Sequence, residues 1–167
     1  FADMLIAAVT HPFMLVYLDQ VVSVGPNSPV GIAKGRGLNE NLAREVLELH
    51  TLGVGTPYGQ VDVRQFAELL TGMTFSLENG PQFRPALAEP GPETVLGTTY
   101  GGDPAKPADI HRILTDLAHH PATARHLCGK LAAHFVADRP DPDLVDRMVR
   151  AWRDSDGQLP TVYRAML

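Results

Sequence analysis

The sequence predicts an all-α domain of roughly eight helices around one core, with a minor β-hairpin in an irregular excursion at about residues 73 to 107. Three observations predict it. Apolar side chains recur with a helical period along most of the chain. Prolines stand just ahead of several of these runs and glycines just behind them, where a first turn needs no N–H and a last turn favours a left-handed residue. Finally, 167 residues of which 44% are hydrophobic suit a single domain with one sizeable core better than two independent ones.

The elements follow in order. In "MLIAAVTHPFMLVYL" two apolar runs flank His11-Pro12, and in "ILTDLAHHPATARHL" two flank His120-Pro121. The residue before a proline is pushed out of the helical region, so each His-Pro pair reads as a tight corner between two helices. Residues 23 to 38, "SVGPNSPVGIAKGRGL", read as a long connector. "GIAKGRG" lacks the spacing and the preceding strand of a phosphate loop. Asn39 has the side chain to cap a helix running to about Leu52. Val63, Phe66, Ala67 and Leu70 form the next apolar stripe, stopped by Gly72.

Between 73 and 107, eleven of thirty-five residues are glycine (five) or proline (six). "MTFSL" and "QFR" around "ENGP" predict a short hairpin, and "TVLGT" is a candidate strand. Helical stripes then resume at Ile110, Ile113, Leu114 and Leu117, at Ala124, Leu127, Cys128 and Leu131, and at Leu144, Val145, Met148, Val149 and Trp152. Pro121, Pro142 and Pro160 mark starts, and Gly157 marks a stop.

A net charge of -5 with scattered Lys and Arg leaves no basic face for phosphates, so nucleic acid is not an expected partner. Cys128 is the only cysteine, which rules out an internal disulfide and a multi-cysteine zinc site; it reads as a small buried apolar residue. No apolar run reaches the roughly eighteen residues of a membrane span. "RDSDGQLP" lacks the calcium-loop pattern, and no GxSxG or HExxH is present. No cofactor or metal is expected. The start at Phe1 and the end inside an apolar pattern at Leu167 suggest a single helical domain fragment of a longer protein.

The most polar helix is "NENLAREVLELHTLG". Stepping about 100° per residue from Glu40, Arg44 falls at about 40°, Glu48 at about 80°, Asn41 at about 100° and Glu45 at about 140°, one shared face. His50 lands at about 280°, among Leu42, Val46 and Leu47, as a buried support pointing away from the acids. Two readings compete. Glu40, Arg44 and Glu48 are spaced for i,i+4 ion pairs on a solvated face. Alternatively, Glu45 and Glu48, oriented by Asn41 and Arg44, are paired carboxylates suited to acid–base or cation chemistry in a hydrolase or metal-dependent enzyme. His126, Lys130 and His134 read as a solvated face.

"GLNENLAREVLELHTLGV" resembles the signature of a large bacterial family, the domain-of-unknown-function family eighteen hundred, and "HPFMLVYLDQVVSVGPNS", "VDVRQFAELLTG", "TVLG", "HPATARHLCGKLAAHFV" and "RDSDGQL" extend the likeness over essentially the whole chain. The resemblance implies helical structure and an exported, periplasmic or envelope-associated protein. It implies no established activity; the chain itself reads as a binding or assembly module, to which the resemblance adds a sulfatase-like protein as partner. Relatives commonly carry a His near Ala88, a Lys near Glu93 and a Trp at Met73, so any site built on those groups is altered here.

Overall fold

Proline opens six of the nine α-helices, at one of the first two positions, where its missing N–H costs nothing. The computed structural model describes residues 1–167. Its helices are α1 (Ala2–Val9), α2 (Pro12–Tyr17), α3 (Pro29–Lys34), α4 (Asn41–Glu45, continued by a π-helical turn, Val46–His50), α5 (Gln60–Leu70), α6 (Pro107–His119), α7 (Pro121–Phe135), α8 (Pro142–Asp154) and α9 (Leu159–Met166). Both His-Pro corners form as expected. His11 Nδ1 accepts from the Phe13 amide and His120 Nδ1 from the Ala122 amide, at 3.3 and 3.1 Å.

The fold is mostly helical but not purely all-α. The expected hairpin pairs β1 (Met73–Ser76) with β2 (Gly80–Phe83), and a second hairpin pairs β3 (Gly91–Val95) with β4 (Thr98–Gly102). The second turns over Leu96 and Gly97, both at positive φ, the conformation that a two-residue connection needs to match strand twist. The two sheets are separate. The connector at 23–38 also contains more than expected. Ser28 Oγ accepts from the Gly31 amide at 3.1 Å and Pro29 opens α3, a capping signature in "NSPVGIAK" that the glycines obscure.

The expectation of one core needs correction. A cluster of 22 buried residues joins α1, α2, α4, α5, α6 and the β-hairpins, while a second of 8 joins Ala124, Cys128 and Ala132 of α7 to Leu144, Val145, Met148 and Trp152 of α8 and Val162 of α9. The stripe on α7 faces α8 because small residues there let the helices approach, and Trp152 fills the space beside them. Phe1 bridges the clusters. Its ring lies 5.1 Å from that of Trp152 and its amino group donates to the Gly157 carbonyl at 2.9 Å. No helix is long and apolar enough to cross a membrane.

Candidate functional site

The polar helix begins one residue later than its sequence suggests: Glu40 is the N-cap, without a side-chain capping bond, and Asn39 Oδ1 accepts from the Asn41 amide at 2.8 Å just ahead of it. Leu42, Ala43, Val46 and Leu47 are fully buried in the larger core, which turns the acids outward. Arg44 bonds Glu40 at 3.1 Å, Glu48 at 3.4 Å and Gln60 of α5 at 2.9 Å, and Gln60 closes the ring by donating to Glu40 at 2.8 Å. Asn41 is exposed and Glu45 and Glu48 are half-buried. None of the five principal cavities is lined by Asn41, Arg44, Glu45, Glu48 or His50. Glu48 also stands beside Tyr58, whose phenol is pushed up by burial and by that carboxylate.

His50 does not take the fully buried place that an ideal wheel assigns it. The chain widens into a π turn over Val46–His50, which brings residues five apart onto one side, whereas a regular α-helix sets them about 140° apart. His50 is therefore half-buried and close enough to Glu45 to feel its charge. Burial lowers its pKa, Glu45 opposes that shift and Lys130 adds to it. Lys130 belongs to α7, so a second helix does reach this end of the polar helix.

With Lys130 comes His126, which is turned inward instead of standing on a solvated face. Its Nδ1 lies 2.5 Å from where a Cβ on Gly53 would sit, so glycine at 53, held at φ +88°, is what admits the ring. Burial holds His126 below its ordinary pKa, with the Leu49 backbone opposing and Lys130 assisting, and its buried Nε2 has no partner. Glu45, His50, His126 and Lys130 thus form a seam of two imidazoles favoured in the neutral form, one carboxylate and one ammonium. His134 stays exposed, edge-on to Phe135.

A second acidic group escapes a reading of the sequence by motif. Glu68, Glu89 and Glu93 are all buried, at 8, 8 and 3% exposure. Thr71 joins two of them: its hydroxyl donates to the Glu68 carbonyl and accepts from the Glu89 amide, at 2.6 and 2.7 Å. Glu68 accepts from Arg64 at 3.1 Å and from Gln65. Glu89 takes the Asn27 amide and side chain, one on each oxygen. Glu93 accepts from no other residue's side chain, and burial, Glu68 and Glu89 push its carboxyl up to about 8.

Glycines make room for these acids. A Cβ on Gly25 would meet Glu89 Oε2 at 2.6 Å, and one on Gly101 would meet Glu93 Oε2 at 2.5 Å. The available signal was strand alternation in "GPETV": Glu93 shares its face with buried Val95. Met73, Ala88 and Glu93, where the chain departs from the pattern it resembles, are all buried.

The exposed surface offers a third feature. Phe13 and Tyr17, one turn apart on α2, are 79 and 80% exposed, with Val16 beside them and Met4 of α1 also out in solvent. Ala8, His11 and Met14 complete a shallow hollow around the two rings. Trp152, by contrast, is core.

No curated protein and no solved structure matches this chain. The family model described as "Protein of unknown function (DUF1800)" matches residues 1–167, and the chain belongs to that family.

Proposed function

We propose that this chain is a binding or assembly module of an exported bacterial protein, and that its partner is a sulfatase-like protein. The observation that carries the reading is the aromatic patch on α1 and α2. Two large rings held four-fifths exposed on one helix face are what a partner buries at the centre of an interface, where aromatics and Met are enriched. The polar helix supports the same reading, since Glu40 and Glu48 are tied into a half-exposed web with Arg44 and Gln60. The sulfatase-like partner and the exported setting rest on family resemblance.

The test is co-expression of the full protein with a sulfatase-like protein encoded beside it, followed by light scattering on the size-fractionated mixture. A complex that F13S/Y17S weakens at least tenfold supports the proposal. Absence of any complex between the native proteins overturns it.

One observation favours the second reading, an enzyme acting through Glu45 and Glu48: His50 and His126, both favoured in the neutral form, stand at the Glu45 end of the web. In that reading a neutral imidazole takes a proton from the substrate and Glu45 stabilises the imidazolium that forms, while Arg44 positions Glu48. Turnover abolished by E45Q in a protein that still folds would move the conclusion there.

A further inference from the structure

Where α6, α7 and α8 meet, the molecule holds a hollow that the aromatic patch on α1 and α2 does not touch. It opens between the His119 end of α6, the first turn of α7 and the turn from α8 to α9, and its volume is about 310 Å³, within the range of small-ligand sites. Pro121, Ala124 and Val149 give it apolar walls, and Trp152, Arg153 and Gly157 complete it.

Trp152 distinguishes this hollow from a chance gap in the packing. The residue is 3% exposed, and its buried Nε1 has no hydrogen-bond partner. An indole has one donor and no acceptor, and buried N–H groups are nearly always paired, because a bare one has given up its hydration for nothing. The nitrogen edge of the ring is turned to Gly157, where a Cβ would stand 3.4 Å from both Nε1 and Cε2. Gly157 also lines the hollow, and its φ of +73° favours glycine there. No side chain of residue 157 therefore covers the indole edge.

The surrounding polar groups select the ligand. Arg153 bonds Asp154 through Nε at 3.2 Å, which leaves the two Nη groups of its fork for the hollow. Asp156 is the one acid that lines the hollow. Its side chain is 84% exposed and pairs with His119 Nε2 at 3.0 Å, while His119 Nδ1 meets the Thr115 carbonyl at 2.7 Å. That imidazole has no nitrogen to spare. The side-chain groups left to a ligand are thus donors, an indole N–H and a guanidinium edge. A carboxylate accepts from both at once, with a charge-assisted bond on the arginine, and an apolar body suits walls of proline, alanine and valine.

We propose that this hollow binds a small carboxylic acid, its carboxylate between the Trp152 indole N–H and Arg153 and its apolar body along Pro121, Ala124 and Val149. A free short-chain fatty acid and the C-terminus of a peptide share this chemistry.

The test is proton–nitrogen NMR of the full isotope-labelled protein, in whose sequence Trp152 is the only tryptophan, titrated with hexanoate and, separately, with N-acetyl-alanyl-leucine. Saturable binding of at least one acid is expected, with the indole proton moving downfield as it gains a bond. R153Q should weaken that binding about tenfold, and R139Q, at an arginine outside the hollow, should leave it unchanged. Both arginines are exposed, so neither change disturbs a core. Hexanol, which has the same apolar body without the charge, should bind at least about tenfold more weakly than hexanoate. Hexanoate binding alone identifies a free acid, and binding of the peptide alone identifies a chain terminus; either supports the site. No saturable binding, an indole resonance that stays in place while an acid binds, or equal affinity in native protein and R153Q overturns it.

Discussion

The two acidic groups of this protein carry similar residues and sit in opposite circumstances. On the polar helix, Glu40 and Glu48 share Arg44 at the surface. Below the second hairpin, Glu68, Glu89 and Glu93 are buried with one exposed arginine among them. Surface pairs are screened and exchange readily with water, whereas buried carboxylates depend on each donor they are given. The denser acidic pattern in the sequence is therefore the energetically quieter one in the fold.

The largest test of that contrast is Glu93. Its carboxyl moves from 4.5 to about 8 on folding, so between those values the folded state holds more protons than the unfolded chain. The stability this group permits is fully present below about pH 4.5, is lost as pH rises through about 8, and then levels off. At about 1.36 kcal/mol per pH unit the whole loss is about 5 kcal/mol. In urea melts, E93Q should match the native protein at about pH 5 and exceed it by a few kcal/mol at about pH 9. Equal stability at both would show that burial leaves the Glu93 carboxyl where it stands in the unfolded chain.

Next comes N27A, which removes the side-chain donor from Glu89 and should cost about 1–3 kcal/mol. R44A, which cuts the surface web at its centre, should cost less than about 1 kcal/mol, with the difference shrinking in salt. A larger loss in R44A than in N27A would reverse the comparison. The smallest effect is read by NMR. His50 should titrate below 6.5, and E45Q should lower it further, because Glu45 is the group that raises it.

Much of the fold was legible because its signals are local. The His-Pro corners, the "ENGP" turn and the stripes on α5 to α8 each rest on a few neighbouring residues, and Asn39 bonds the first turn of the polar helix from one residue ahead of its N-cap, Glu40. What escaped depends on distant parts of the chain. The division into two cores turns on α7 choosing α8 over α6. Glu68 stands next to Leu69 and Leu70 at the end of α5, and only the arrival of β3 and of Asn27 makes that position an acidic interior. His126 reads as solvated until Gly53, more than seventy residues earlier, opens a place for its ring. The seam at Glu45 was hidden for another reason: a regular wheel has no means of anticipating a change of pitch.

That change of pitch at Val46–His50 has a consequence for how the chain tolerates length variation. A wide turn amounts to one surplus residue absorbed without breaking the coil. Deleting a single position between Glu45 and His50 would restore the regular spiral, leave Leu42 and Ala43 seated, and set the histidine four residues after Glu45, still on the same side of the coil. A shortening by one residue is thus a change this corner should absorb, because imidazole and carboxylate remain neighbours when the coil tightens.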